Sequence, residues 1–248
     1  MKYIIGIDDT DNLESFSTGI VLEQLSKFLS TKVDCTYTPV VRHQLLFDPR
    51  IKYTSHNSSM SFELKSCVDI YTTLIETCST YLQLNHAIGS DPGLCILKID
   101  NLNHKEKLLN YGFKTKTEYI EIHEAIALSK ECNIHLSSHG GTGEGVIGAL
   151  AAVALRLSGK DGKARGTLNL SINSEEMSVA TLIGSNKIDL ICDIDGITLS
   201  NSESIHIKDR IKTIYRDGKF ILLVQKILID SKEYWTNYSI KEIKDLNL

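Results

Sequence analysis

Short apolar runs and longer amphipathic stretches alternate through the first two-thirds of the chain. Residues 2–7, KYIIGI, make an apolar run of strand length, while residues 17–29 carry Ile20, Val21, Leu25, Phe28 and Leu29 at helical spacing, with Ser15 or Ser17 placed to cap them. The stretch VDCTYTPVVRH (33–43) is rich in β-branched residues and predicts a second strand, ending in the turn FDPR. A third strand is predicted in SSMSFEL (58–64), a second helix in CVDIYTTLIETCSTYLQL (67–84), and a fourth strand in LCILKI (94–99) after the turn SDPG. This order of strand, helix, strand, strand, helix, strand is that of the ferredoxin-like split βαβ unit, a mostly antiparallel sheet with helices on one face.

The pattern then changes. Residues 103–133 read as mainly helical, and IHLSS (134–138) leads into a glycine-rich segment followed by VIGALAAVALRL, which has the composition of a buried helix. From Gly166 onward TLNLSI, SVATLIG, KIDLICDI and SIHIKD are strand-like, and Asp217-Gly218 between RIKTIYR and KFILLVQ is a hairpin signal. The expected fold class is α+β: a ferredoxin-like N-terminal unit with a mostly antiparallel sheet, a helical middle and a β-rich C-terminal part, divided as 1–165 and 166–248.

Composition narrows the class of protein without naming its chemistry. With 248 residues, 42% hydrophobic and 23% charged, the chain has ample apolar surface for a core and needs no staples. Its six cysteines never form a CxxC pair, so neither a zinc ribbon nor a disulfide framework is indicated. The start MKYIIG runs into acid instead of a long apolar stretch, and no later run has the length of a membrane span; a cytoplasmic protein is expected. A net charge of −4 gives no overall basic field for nucleic acid. The one basic concentration, Lys160, Lys163 and Arg165, reads as a solvated loop or a phosphate contact.

Two stretches carry candidate chemistry. In IIGIDDTDN three carboxylates, Asp8, Asp9 and Asp11, follow an apolar strand within four residues, a repulsion that a cation, a turn or open water relieves. In SSHGGTGEGVIG the glycines at 140, 141, 143 and 145 free backbone N–H groups at the start of a helix, an arrangement suited to phosphate. Gly143, Gly145 and Gly148 satisfy GxGxxG, but no acid follows at the spacing a dinucleotide fold uses, and the Lys-Ser/Thr of a Walker loop is missing. A flexible loop before a core helix is the alternative, and Glu144 among the glycines holds a metal or favours the helix start. Together the stretches suggest Mg²⁺ on the acids and phosphates on the glycine loop.

The segments IGIDDTDN, STG, DPRIKYTSHNSS, SDPGLCIL and GEGVIGALAAVAL resemble, in order and spacing, the amino-terminal part of the archaeal synthetase that makes agmatidine at the wobble cytidine of an isoleucine tRNA. The islands cover most of residues 1–165, and IGIDDTD is the specific one. The resemblance implies an ATP-dependent, kinase-like region in which Asp8, Asp9 and Asp11 hold Mg²⁺ and position ATP, and Thr18 receives phosphate or caps a helix. The leading expectation built on both readings puts Gly140, Gly141, Thr142, Gly143 and Gly145 at the nucleotide, with His56 and Asn57 facing a small-molecule or nucleoside substrate. This chain departs from the family where Thr54-Ser55-His56-Asn57 replaces Thr-Arg-Gly-Asn, with Arg42 and Arg50 as candidate replacements for the missing arginine. Its length leaves no room for the family's OB-fold and zinc ribbon, so tRNA is expected as substrate only with a separate RNA-binding partner. The competing expectation is a nucleotide-binding subunit without catalysis; a homodimer stays open.

Overall fold

The apolar run at the start forms β1 (Lys2–Asp8), the central strand of the first of two units, Met1–Ser158 and Gly159–Leu248. The computed structural model describes residues 1–53, 56–166, 176–184 and 187–246. In the first unit β1 is followed by α1 (Thr18–Lys32), β2 (Thr36–Tyr37), β3 (Val41–Gln44), β4 (Ser58–Lys65), α2 (Tyr71–Asn85) and β5 (Gly93–Lys98). Then come α3 (Lys105–Lys114), α4 (Ile122–Glu131), β6 (His135–Ser138) and α5 (Gly145–Ser158). The sheet order is β6-β5-β1-β4-β3, antiparallel at every step, with β2 also on β4.

The second strand is not continuous. Its ladder to β4 stops at Tyr37 and resumes at Val41, and the gap holds Pro39, which has no N–H to give a ladder and restricts the residue before it. Helices also cover both faces of the sheet instead of one. Tyr3, Ile5 and Ile7 pack with Leu22 and Leu25 of α1 and Leu74 and Leu82 of α2, while Ile4, Cys95 and Leu97 on the opposite face lie in one core with side chains of α3, α4 and α5. The reason lies in α5: Val146 and every residue from Gly148 to Arg156 are buried, so this helix needs apolar partners all round and takes the second face of the sheet. It crosses β1 so closely that a Cβ on Gly6 would stand 2.5 Å from the Ala149 carbonyl oxygen.

The second unit is β-rich. It contains β7 (Lys163–Ala164), β8 (Glu176–Ser178), α6 (Val179–Ile183), β9 (Leu190–Cys192), β10 (Ser204–His206), β11 (Thr213–Arg216), β12 (Lys219–Ile229), β13 (Lys232–Asn237) and α7 (Ile240–Asp245). Its strands run β7-β11-β12-β13-β10-β8, with β9 parallel to β12 and β10 parallel to β13. Asp217 and Gly218 join β11 to β12 with φ of 50° and 73°, the two left-handed residues of a tight hairpin turn. Most of SVATLIG is helical and not a strand. Ser178 accepts from the Thr181 amide at 3.2 Å, which caps α6, and Val179 and Leu182 are buried at helical spacing. KIDLICDI and SIHIKD contribute only the three-residue strands β9 and β10, and TLNLSI lies outside the described residues.

The protein is therefore a mixed α+β chain with mostly antiparallel pairing and seven α-helices among the described residues. None of them is long and apolar enough to cross a membrane.

Candidate functional site

The acids stand where β1 runs out. Asp8 is its last residue, opposite Gly93 of β5, and Asp9 turns the chain with a left-handed φ of 48°, a conformation that aspartate tolerates better than most residues. Burial first, and the charge of Asp9 second, hold the Asp8 carboxyl well above the ordinary carboxylate range. Asp9 is pushed up to about 6 by burial, and then by the charges of Asp91, Asp11 and Glu144. The charges that raise both groups, after burial, are those of other acids, so the acidic turn resists ionisation and favours an incoming positive charge.

Asp11 has a different task. Its Oδ1 accepts from the Thr18 amide at 3.3 Å and from the Thr18 hydroxyl at 2.5 Å, while Thr18 Oγ1 accepts from the amide and hydroxyl of Thr10, each at 3.2 Å. This bridge caps α1 from a distance, because Ser17 at the cap position makes no side-chain cap bond. Ser15 accepts from the Asn12 amide at 2.8 Å instead. Thr18 is buried, and its hydroxyl is committed to Asp11.

The glycine loop is already engaged. The Asp91 carboxylate accepts from the amides of Thr142, Gly143 and Glu144 at 3.0, 2.8 and 3.0 Å and from the Thr142 hydroxyl at 2.5 Å. The amides expected to face phosphate thus close on an acid of the protein itself, which supplies the charge such a nest of N–H groups attracts. The Asp91 amide in turn donates to the Asp9 carbonyl at 3.1 Å, tying the loop to the acidic turn.

Two clefts of the first unit meet here. One, about 470 Å³, is lined by Asp8, Asp9, Asp11, Thr18, Gly145 and Gly148 on one side and by Arg50, Lys52, Tyr53 and Tyr119 on the other. The second, about 520 Å³, is lined by Gly141, Thr142 and Asp91 and shares Asp9, Asp11, Lys52, Tyr53 and Glu144 with the first. The acidic turn and the glycine segment therefore converge. His56 and Asn57 also line the first cleft. The Asn57 side-chain amide donates to the Leu46 carbonyl at 2.7 Å, fixing the loop, and the His56 ring lies 6.3 Å from that of Phe47. Arg50 lines the cleft but pairs with Asp48 at 2.7 Å and lies 4.3 Å over the Tyr119 ring. Arg42 is turned to Ser58 and Gln44 at 3.0 and 2.9 Å, and Lys163 of the second unit donates to the Ile243 carbonyl at 3.0 Å.

Comparison with known proteins bears on the fold. No protein-family model matches this chain, and a search of the curated proteins finds no match. Solved structures do match. The chain is similar to TiaS in complex with its isoleucine tRNA and ATP, at 24% identity and a TM-score of 0.54, over 62% of this chain and 36% of that one. Apo TiaS, a tRNA agmatidine synthetase, gives 22% and 0.50 over 62% of this chain and 35% of that one. The complex of TiaS with the same tRNA, AMPCPP and agmatine gives 20% and 0.53 over 75% and 44%. At such identity the likeness is one of fold, and the chain spans between about a third and under half of the length of these proteins.

Among the described residues no group of three or more His, Cys, Asp or Glu side chains is arranged to hold a metal ion. The three expected acids, Asp8, Asp9 and Asp11, all line the first cleft, and Asp11 is in addition bonded through Oδ1 to Thr18 at the start of α1. Two further participants are inconspicuous in the sequence. Lys52 lines both clefts, and Asp91 has the look of a turn residue in SDPG. The signal available for Asp91 is the glycine two positions on, Gly93, which gives the main chain room to approach Gly145.

Proposed function

We propose that the first unit binds a magnesium nucleotide in the paired clefts and uses it to activate a small molecule or nucleoside by phosphoryl transfer. The observation that carries this reading is the convergence of Asp8 and Asp9, both raised by burial first and then by the charges of neighbouring acids, with Lys52 and the start of α5 around one cleft. Asp8 and Asp9 fit Mg²⁺, which is held by one or two carboxylates and completes its shell with water and phosphate oxygens. When bound, the ion neutralises charge on the phosphoryl group being transferred. Lys52 would hold the anionic end of the ligand, the N-terminus of α5 at Gly145 adds its partial positive charge, and Tyr53 and Tyr119 would exclude water at the mouth. In this proposal the first unit is the nucleotide-binding region, and the strand order β5-β1-β4-β3 supports reading its sheet as a ferredoxin-like split βαβ unit.

A second reading is a nucleotide-binding module without turnover. It is favoured by the Thr18 hydroxyl, which is buried and already donates to Asp11. The solved proteins of similar fold are complexes of TiaS with tRNA, ATP or AMPCPP, and agmatine, so a tRNA reaction completed by a partner protein is a third arrangement to test. Incubation with γ-labelled ATP and Mg²⁺ over a panel of nucleosides and amines, with and without tRNA, separates the three. Transfer or hydrolysis by the chain alone supports the enzyme, binding with no turnover supports the module, and label released only with tRNA and a partner supports the third.

A further inference from the structure

The glycines of residues 140–145 invite a phosphate, but the backbone shows what they accommodate. A Cβ on Gly145 would stand 1.9 Å from the Asp91 carbonyl oxygen, one on Gly93 would stand 2.1 Å from the Gly145 carbonyl oxygen, and one on Gly141 would stand 2.7 Å from Asp91 Cγ. Gly140 packs on Pro92 at 3.2 Å by the same measure. Two stretches of main chain, 90–93 and 140–145, are pressed together at distances that side chains forbid. Gly143 differs from these, since a Cβ there would come no nearer than 3.8 Å to Ser138; its φ of 90°, which lets the loop reverse, is what calls for glycine.

We infer that Asp91 is a positioning residue, an internal anion that fills the glycine nest and holds the acidic turn in place, so that nucleotide phosphates do not use the amides of Thr142, Gly143 and Glu144. The inference rests on the proposed nucleotide site but assigns a different job to its loop. Four donors converge on one buried carboxylate: Thr142 N–H, Thr142 O–H and Glu144 N–H on Oδ2, and Gly143 N–H on Oδ1. The same residue donates its amide to the Asp9 carbonyl. Asp9 holds a left-handed backbone and lines both clefts, and Asp91 is the clamp behind it. Asparagine cannot replace it, since its NH₂ would face donors.

Chemical rescue tests this assignment. Asp91→Ala empties the nest while leaving the three amides in place, and formate is small enough to enter and accept their hydrogen bonds. Without any nucleotide, formate should raise the melting temperature of Asp91→Ala and leave that of the wild type unchanged; chloride at the same ionic strength should do neither. In the same protein magnesium-ATP affinity should fall roughly 10- to 100-fold, the usual effect of removing support behind a ligand residue, and formate should restore part of it. A second variant guards against misfolding: Thr142→Val should reproduce a milder loss, and Thr142→Ser should recover it. Formate that stabilises wild type and variant equally, or an Asp91→Ala protein that binds magnesium-ATP as the wild type does, overturns the inference. If the wild type binds no nucleotide, the site reading fails while the formate arm still decides whether Asp91 fills the nest.

Discussion

Gly148 and Asp8 occupy one space: a Cβ built on Gly148 would stand 1.7 Å from Asp8 Oδ2 and 2.5 Å from Asp8 Cγ. The small residue on the first turns of α5 is what lets an acidic side chain sit beneath a buried helix. Gly148→Ala should therefore expel the carboxylate or displace the helix, at a cost of about 1–3 kcal/mol for overpacking. Adding Asp8→Ala should recover most of that loss, because it removes the atoms struck, and a double-mutant cycle by urea denaturation measures the coupling. Additive losses would count against the contact.

The acidic turn gives stability a distinctive dependence on pH. Asp9 titrates near 6 in the folded protein and near the ordinary carboxylate value when unfolded, so between those values the folded state holds the extra proton. Its contribution to stability is full below about pH 4 and is lost as pH rises through 6. Asp8, raised by burial first, acts in the same direction. Asp9→Asn should gain stability relative to the wild type as pH increases from about 4 to 7, measured by thermal denaturation at several pH values. A difference that shrinks over this range would contradict the assigned burial.

Lys52 is a cation shared by the two clefts, whereas the Arg50 guanidinium is already paired with Asp48. Lys52→Ala should weaken nucleotide binding and lower its sensitivity to salt, since a screened charge pair is removed. Arg50→Ala should have the smaller effect. Titrations at two ionic strengths make the comparison.

In the second unit the β11–β12 turn provides a local test. Gly218 has a φ of 73°, and Gly218→Ala should cost roughly 1–2 kcal/mol, the penalty for a Cβ in the left-handed region. The Asp230–Ser231 turn between β12 and β13 is left-handed at both residues too, with φ of 48° and 65°. Ser231→Gly should therefore stabilise the hairpin, and both variants can be read by chemical denaturation.

Legibility in the chain varies with the physics behind each part. Strand β1 and the Asp217-Gly218 hairpin follow from local patterns, an apolar run and a turn dipeptide, and both are plain in the sequence. Pro39 is equally plain as a residue, but the β-branched run around it masks the break it makes. SVATLIG misleads because valine, threonine and isoleucine favour strands, while the bond from the Thr181 amide to the Ser178 side chain decides for a helix. At the site, the acids and the glycines are each conspicuous. What joins them is a contact between residues 91 and 142–144, some fifty positions apart, and a lone aspartate in a turn carries no mark of its partners. The glycines do make room, but the guest is main chain and an aspartate of the same protein.

Whether the acidic turn takes a magnesium nucleotide is tested most directly by calorimetric titration of ATP into the wild type, with Mg²⁺ and with EDTA. Saturable binding is predicted that requires Mg²⁺, strengthens as pH rises through 6 because Asp9 must ionise to receive the ion, and disappears in Asp9→Asn. Binding of equal strength in EDTA, or undiminished in Asp9→Asn, would contradict it.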